Sequence, residues 1–310
     1  MSYDVIVVGG GPAGMTAALY AARSGWNVVV LDLMGGGGQA ALTDVIQNYP
    51  GFPNGIKGPE LMDLMIQQAR GFGAFIQMDE VQKVSLTGDT FSVSGQSSVY
   101  EGSAVIYCAG TTPRRLDVPG EDRLIGRGVS FCATCDGPLF AGKRVAVVGG
   151  GDSALTEAQF LAKIASQVIL IHRRDEFRAS LYNQKVVREN PKINLYMNSV
   201  VDEIRGERYV EAIRLRNVKT GETVEQPVSA VFLYVGSSPN VAPVADLVDV
   251  DEDGYIVTQP DMSTKTPGLY VAGDVRQKSL RQVSTAVGDG ATAAFAAEGY
   301  LLGRATWRQK

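Results

Sequence analysis

Two cysteines stand three positions apart, with polar residues around them. Cys132 and Cys135 lie in the stretch SFCATCDGPL, and Asp136 follows the second of them. A CxxC pair can be a disulfide with redox chemistry, part of a metal site, or two cysteines packed in a core. The third cysteine, Cys108, lies in an apolar run that indicates a plain buried thiol. The residues alone leave all three interpretations of the pair open.

The first segment of the chain has the pattern of a dinucleotide-binding unit. Val5–Val8 is a short apolar run that predicts a buried parallel strand, and a GxGxxG pattern and an alanine-rich helix follow it. Such glycines allow a tight turn and close approach of a pyrophosphate, whose charge the helix N-terminus favours. The next strand ends at Asp32, 21 positions after Gly11, where an acid would bind a ribose hydroxyl. These features predict a dinucleotide site.

A second unit of the same kind begins 140 positions later. The motif GGGDSA starts at Gly149, between a predicted strand that ends at Val148 and a predicted helix, and a further strand ends at Ile171. Alanine replaces the third glycine of the fingerprint, which this pattern tolerates. The repeat predicts a second dinucleotide site.

The residues after the second unit's second strand differ from those in the first unit. Instead of an acid the chain has His172, Arg173 and Arg174, with Arg178 one helical turn further on. Arginine disfavours NAD here and suits the 2′-phosphate of NADP, which a guanidinium binds bidentately. A solvated basic turn is the alternative interpretation. Two sites with different phosphate chemistry favour a flavin in the first unit and NADPH in the second.

The second unit is predicted to be inserted into the first. VIYCAGTTPR (105–114) and VFLYVGSSPN (231–240) both read as an apolar strand, a glycine and a linker, and a later strand precedes a long alanine-rich helix. We therefore expect an α/β protein with two Rossmann-like, three-layer dinucleotide-binding domains, the NADPH domain being inserted into the FAD domain. The predicted bounds are 1–112 for the first part of the FAD domain, 113–242 for the NADPH domain with the CxxC, and 243–310 for the second part of the FAD domain.

Composition narrows the class of protein. The 310 residues carry a net charge of −4 and a pI of about 5.2, which makes nucleic acid an unlikely main partner. No run of 18 apolar residues predicts a membrane span, and the N-terminus lacks the pattern of a signal peptide. Three cysteines exclude a disulfide scaffold. We therefore expect a cytoplasmic protein.

Six motifs, in order along nearly the whole chain, resemble those of the low-molecular-weight thioredoxin reductases. They are GGGPAG, NYPGFP, CATCDG, GGGDSA, HRRDEFRAS and AGDV followed by RQVSTAVGDGATAA. The resemblance implies an FAD domain split around an inserted NADPH domain that carries the CxxC. It also implies a homodimer and a thioredoxin or thioredoxin-like protein as the partner.

The resemblance further assigns the cofactor-binding residues. For FAD they are Gly9, Gly11, Pro12, Ala13, Gly14, Asp32, Gly38, Gln39, Asn48, Gly110, Gly273, Asp274, Arg281, Gln282 and Val283. For NADPH they are Gly151, Asp152, Ser153, His172, Arg173, Arg174 and Arg178. The chain departs from the family in the glycine-rich loop Gly35–Gly38 and in Thr156-Glu157, which stands where the family commonly has an acidic pair.

Within this resemblance, Cys132 and Cys135 form a redox-active disulfide. A zinc site would need two further ligands, and the chain has only Cys108 and His172 to offer. Because the single histidine belongs to the arginine cluster, the family's aspartate, here Asp136, is the expected acid and base. By resemblance, Cys135 faces the flavin and Cys132 attacks the disulfide of the partner.

The expected function is thioredoxin-disulfide reduction, a reaction of cell redox homeostasis. Hydride passes from NADPH to FAD, electrons then pass to the Cys132–Cys135 disulfide, and the dithiol reduces the partner. One alternative is a flavin-dependent dithiol oxidase of the same fold, although such relatives tend to lose the NADPH arginines. Another is a flavin redox sensor without turnover, which would not need both the CxxC and a nicotinamide site.

Overall fold

The computed structural model describes residues 2–43 and 45–308, and the chain forms two compact units. The first consists of Met1–Thr112 and Ser238–Lys310, and the second of Pro113–Ser237. The second transition lies at Ser237, whereas the sequence analysis placed it at 242. Short strands at Thr111–Pro113 and Ser237–Pro239 pair with each other, so the two segments that connect the units run side by side.

The first unit is built on a seven-stranded sheet. The strands of this unit and of the linker pair are β1 (Ser2–Val8), β2 (Val28–Asp32), β3 (Val45–Ile46), β4 (Ile56–Lys57), β5 (Phe75–Met78), β6 (Val81–Thr87), β7 (Thr90–Gly95), β8 (Val99–Tyr107), β9 (Thr111–Pro113), β18 (Ser237–Pro239) and β19 (Leu269–Val271). The sheet order is β5-β2-β1-β8-β7-β6, with β19 also paired to β8. β1, β2, β5, β8 and β19 pair in parallel, and β6 and β7 add an antiparallel hairpin.

Three helices accompany this sheet: α1 (Pro12–Arg23), α2 (Gly58–Gly71) and α7 (Val283–Arg308). Short 3₁₀ helices cover Gly38–Leu42 and Ala242–Leu247. Successive residues of β1 enter different cores, because side chains alternate across a strand. Val5 and Val7 pack with the helices, and Ile6 and Val8 pack on the opposite face. The sheet is therefore buried on both faces, as its continuous apolar strands predict.

The second unit repeats this plan. Its strands are β10 (Val129–Ser130), β11 (Arg144–Gly149), β12 (Gln167–Ile171), β13 (Ile193–Tyr196), β14 (Ser199–Arg205), β15 (Ala212–Asn217), β16 (Thr223–Pro227) and β17 (Ala230–Tyr234). A parallel sheet has the order β10-β17-β11-β12-β13, and β14-β15-β16 form a separate antiparallel sheet. The helices are α3 (Glu121–Leu124), α4 (Ala133–Asp136), α5 (Asp152–Ile164) and α6 (Leu181–Glu189), with a 3₁₀ helix at Gly137–Phe140.

The parallel sheet of the second unit also has two cores. Val145 and Val147 of β11 pack on the side of α5, and Ala146 and Val148 pack with the antiparallel sheet. The prediction of an α/β protein with two Rossmann-like cores is confirmed. Among the described residues no helix combines the length and the apolar character needed to cross a membrane.

Candidate redox centre and nucleotide sites

Cys132 and Cys135 form a disulfide in the second unit, with their Cα atoms 5.4 Å apart. Cys132 is the N-cap of α4, and the backbone N–H of Cys135 donates to its Sγ at 3.1 Å. The N–H of Asp136 donates to the Cys132 carbonyl at 3.1 Å. The pair is therefore a local turn that a single chain segment can form, and the predicted pairing is confirmed.

Two side chains outside this turn hold its first residues. Ser130 Oγ accepts the Cys132 N–H at 3.0 Å and donates to the Cys132 carbonyl at 3.2 Å. The hydroxyl of Tyr234, at the end of β17, accepts the Ala133 N–H at 2.8 Å. Both contacts fix main-chain atoms at the start of α4, so the turn is positioned by the sheet beneath it.

The other two interpretations of the cysteines can be compared with the structure. In the described part of the chain, no group of three or more His, Cys, Asp or Glu residues is arranged to hold a metal ion. Cys108 is buried in the core of the first unit. Burial raises the pKa of its thiol far above the usual range, and the Asp289 carboxylate adds to this effect. Such a thiol stays protonated and unreactive.

The first glycine loop has the geometry that a dinucleotide needs. Gly11 is the N-cap of α1, Pro12 follows it, and Ala13 and Gly14 are buried in the first turn. A Cβ at Gly14 would overlap the Gly9 carbonyl oxygen, so only glycine lets the helix start this close to β1. No side chain caps α1 and no acid lies in its first turn. The N–H groups of that turn are thus available to an anion.

Asp32, at the end of β2, organises the loops on either side of it. Its Oδ2 accepts the Gly10 N–H at 2.7 Å, and its Oδ1 accepts the N–H groups of Met34 and Gly36, both at 2.9 Å. These contacts join the glycine-rich loop after β2 to the loop before α1. The carboxylate keeps about one acceptor position for a ribose hydroxyl, because its two oxygens can accept about four hydrogen bonds and three are made.

The loop Gly35–Gly38 has a left-handed main chain at every residue, which explains its run of glycines. Gly38 packs against the Gly11 main chain, where an added Cβ would approach Gly11 Cα to 3.0 Å. Beside it, Gln39 Nε2 donates to the Thr111 carbonyl at 2.6 Å and to Thr111 Oγ1 at 3.0 Å. This places Gln39 next to Gly110.

The remaining FAD candidates meet at the start of α7. Asn48 Nδ2 donates to Gln282 Oε1 at 2.9 Å, and Val283 is the first residue of α7. The Arg281 guanidinium lies 3.7 Å from the centre of the Tyr255 ring, and its Nε donates to the Asp274 carbonyl at 3.4 Å. The side chain of Asp274 forms an ion pair with Lys278 at 3.3 Å.

A buried charge network supports this segment. Asp289 on α7 accepts the Gly273 N–H at 3.1 Å and pairs with Lys278 at 3.0 Å and Arg276 at 3.2 Å. Of the predicted FAD residues, Gly9, Asp32, Gly110 and Gly273 lie at or just after the carboxyl ends of β1, β2, β8 and β19. With uncapped helix amides and an acid at the ribose position, these residues fit a dinucleotide.

The second glycine loop also leads into an uncapped helix, but the acidic residue at its helix start, Asp152, bonds other parts of the protein. Gly151 is the uncapped N-cap of α5, followed by Asp152 and Ser153. Asp152 Oδ1 accepts from the Ser180 N–H at 3.0 Å, the Ser180 hydroxyl at 2.8 Å and Asn183 Nδ2 at 2.6 Å. Burial works to raise the pKa of Asp152, but these hydrogen bonds outweigh it and hold that pKa below its usual value. The carboxylate thus ties α5 to α6.

His172 is buried, whereas the three arginines of its cluster are exposed. Its Nε2 lies 3.0 Å from the Glu176 carbonyl oxygen, and its ring packs on Phe177 with ring centres 5.4 Å apart. A Cβ at Gly150 would overlap the imidazole, so the ring lies directly under the glycine loop. Burial, and then Arg178, Arg174 and Arg173, lower the pKa of His172.

The exposed arginines form a cluster of positive charge. Within the described residues no carboxylate lies at ion-pair distance from Arg173, Arg174 or Arg178, and the adjacent Asp175 pairs with Lys219 at 2.8 Å. The Arg178 N–H donates to the Gly150 carbonyl at 2.8 Å, which fixes this segment against the glycine loop. Free guanidinium groups beside an uncapped helix fit a dinucleotide with an additional phosphate.

The sequence analysis missed two residues that complete these sites. Tyr234 lies beneath the redox turn, and Tyr255 stacks on Arg281. Glu157 is buried on α5, whereas its neighbour Thr156 accepts a long hydrogen bond from Asn183 at 3.5 Å. No local motif marks these side chains, because each acts through a contact distant in sequence.

Comparison with known proteins places the chain in a family. Residues 3–290 match the family model described as pyridine nucleotide-disulphide oxidoreductase. The chain is 43% identical over 299 residues to the thioredoxin reductase of Treponema pallidum, covering 96% of this chain and 97% of that protein. It is 47% identical over 301 residues to the bifunctional thioredoxin reductase/thioredoxin of Mycobacterium leprae, covering 96% of this chain and 66% of that protein.

A solved structure gives the same result. The crystal structure of Lactococcus lactis thioredoxin reductase matches with a TM-score of 0.94 at 40% sequence identity, over 97% of this chain and 99% of that chain. Motifs, fold and relatives agree over almost the full length. The chain therefore belongs to the pyridine nucleotide-disulphide oxidoreductase family, and within it to the thioredoxin reductases.

Proposed function

We propose that this protein is an NADPH-dependent thioredoxin-disulfide reductase that binds FAD in its first unit and NADPH in its second. The observation that carries the proposal is the Cys132–Cys135 disulfide, located in the same unit as the unpaired arginines beside the second glycine loop. Cys135 is exposed and Cys132 is half-buried, so a protein partner can reach this turn of the second unit. When bound, FAD would supply two-electron chemistry that links hydride from NADPH to a disulfide.

The chain's own thiols would carry out the exchange with the partner. In the reduced protein the Cys132 thiolate attacks one sulfur of the thioredoxin disulfide, which breaks that S–S bond and forms a mixed disulfide. The Cys135 thiolate then attacks Cys132 Sγ, re-forms the internal disulfide and releases the second partner sulfur. Both partner sulfurs leave as thiols once protonated, and Asp136 is the proposed proton donor because it directly follows Cys135.

Two further aspects belong to the proposal. The cytoplasm is the compartment in which thioredoxin keeps protein thiols reduced, and we propose it as the location of this protein.

We also propose a homodimer. Ser24, the C-cap of α1, donates a hydrogen bond to Glu298 of α7, and the two helices expose large apolar side chains, Tyr20 on α1 and Phe295 and Leu302 on α7. A second copy that covers them would remove this apolar surface from water.

The test is electron transfer from NADPH with the purified flavin-loaded protein. We expect NADPH oxidation that depends on added oxidised thioredoxin and yields two partner thiols for each NADPH consumed. Oxygen consumption driven by a dithiol, without thioredoxin reduction, would instead identify a dithiol oxidase. If neither NADPH nor oxygen is consumed with any of a panel of thioredoxins, the protein would be a sensor without turnover.

A further inference from the structure

Tyr234 occupies a specific place beneath the redox turn. It is the last residue of β17, which lies between β10 and β11 in the parallel sheet of the second unit. Its hydroxyl oxygen accepts the N–H of Ala133 at 2.8 Å, across 101 positions of sequence. Ala133 lies between the cysteines and is itself 1% exposed. The first amide of α4 therefore has no access to water and depends on this oxygen.

The surroundings of the hydroxyl keep it protonated. Burial first, and then the carboxylates of Glu157 and Asp136, raise the pKa of Tyr234 far above its usual value. The phenol consequently keeps its proton at every physiological pH and stays a neutral hydroxyl. A neutral hydroxyl oxygen keeps its lone pairs, and it accepts the Ala133 N–H at 2.8 Å.

The disulfide and the dithiol depend on this contact to different extents. In the disulfide form the S–S bond holds positions 132–135 in place. If the Tyr234 hydroxyl is removed, the chain cannot shift to give the Ala133 amide another acceptor. In the dithiol form the turn can move, and the amide can reach water. The contact also keeps the two thiols close, which raises the effective concentration of one at the other.

We propose that Tyr234 is a positioning residue of the redox centre, whose hydroxyl stabilises the Cys132–Cys135 disulfide relative to the dithiol by holding the Ala133 amide. The functional role of this effect rests on the proposed function, since the ease with which the disulfide is reduced governs electron transfer to the partner. Its physical content, the position of the disulfide–dithiol equilibrium, does not depend on the identity of that partner.

The test compares Tyr234→Phe with the unaltered flavin-loaded protein in dithiothreitol redox buffers. Each dithiothreitol gives two electrons and two protons to the disulfide, becoming a cyclic disulfide while Cys132 and Cys135 become thiols. Alkylation followed by mass spectrometry measures the reduced fraction at Cys132 and Cys135. We expect the equilibrium to move toward the dithiol by about threefold to tenfold, where tenfold is about 30 mV for a two-electron couple.

The matched control is Tyr270→Phe in the first unit. Its hydroxyl also bonds a main-chain group, the Ala296 carbonyl at 3.1 Å, so it loses a comparable contact far from the cysteines. This variant should leave the equilibrium unchanged, and NADPH should still reduce the flavin in both variants. An unchanged equilibrium in Tyr234→Phe, a shift toward the disulfide, or an equal shift in Tyr270→Phe would each overturn the inference.

A measurement on the unaltered protein covers the case in which Tyr234→Phe does not fold. The Ala133 amide should be protected from hydrogen exchange in the disulfide form and should exchange at least several-fold faster in the dithiol form. Exchange at the rate of a free amide in the disulfide form would contradict the inference. Failure to reduce any thioredoxin would refute the proposed function and leave both of these results intact.

Discussion

The backbone N–H of Cys135 donates a hydrogen bond to Sγ of Cys132 at 3.1 Å, so the two sulfurs of the disulfide are not equivalent. A donor aimed at sulfur stabilises the thiolate once the bond is reduced. We predict that Cys132 of the reduced protein reacts with iodoacetamide at neutral pH up to about tenfold faster than Cys135, although Cys135 is more exposed. Mass spectrometry after a short reaction gives the ratio. Faster labelling of Cys135 would contradict Cys132 as the attacking thiol.

The arginine cluster predicts a preference for NADPH over NADH. A charged hydrogen bond to phosphate contributes about 1.5–3 kcal/mol, so Arg173→Ala or Arg178→Ala should raise KM for NADPH roughly 10- to 100-fold. KM for NADH should change little. Arg208→Ala, at another exposed arginine of the same unit, is the control and should affect neither cofactor. Equal efficiency of the unaltered protein with both cofactors would refute the assignment.

His172 predicts a specific dependence of stability on pH. Its pKa in the folded protein lies below the ordinary value of 6.5, so between these two values the unfolded chain binds more protons. The contribution of His172 to stability is therefore complete above pH 6.5 and decreases as the pH falls below it. Because His172 is the only histidine, His172→Gln should remove this component. Urea unfolding between about pH 5 and pH 7.5 measures it, and parallel curves for the two proteins would contradict the prediction.

Glu121 stabilises the segment 116–118, so its removal should lower the free energy of unfolding. Its carboxylate is 1% exposed and accepts the N–H groups of Leu116 at 3.0 Å, Asp117 at 2.7 Å and Val118 at 3.4 Å. Glu121→Ala would leave these amides without an acceptor, and we expect a loss of at least about 2 kcal/mol in the free energy of unfolding. Denaturant titration measures it, with the exposed Glu222→Ala as control. A loss under about 0.5 kcal/mol would mean that water replaces the carboxylate.

Local patterns explain what the sequence predicted correctly. The glycine loops, their strands and their helices follow from short-range spacing, so they could be predicted without tertiary information. The CxxC turn closes within four residues, but the residues alone left its chemistry open, and the disulfide was expected from the family resemblance. His172 shows the limit of such reasoning. It is adjacent to Arg173 in sequence and was therefore assigned to the phosphate, yet the structure packs its ring under Gly150. The assignment of His172 to the NADPH site stays a prediction.

Long-range contacts account for what the sequence could not predict. Tyr234 reads as the apolar end of a strand, and only the fold brings its hydroxyl to Ala133. The same holds for Tyr255 against Arg281 and for Asp289 beneath Gly273. The second compact unit ends at Ser237, five residues before the predicted bound of 242, where β9 pairs with β18 across more than a hundred residues.

The most direct test of the account is steady-state reduction of thioredoxin by NADPH with Cys132→Ser and Cys135→Ser. Both variants should bind flavin and be bleached by NADPH at the unaltered rate, because hydride transfer from nicotinamide needs no sulfur. Thioredoxin reduction should fall by more than about a thousandfold in each, since removal of either thiol interrupts the exchange. Substantial thioredoxin turnover by either serine variant would contradict the claim that electrons reach the partner through Cys132 and Cys135.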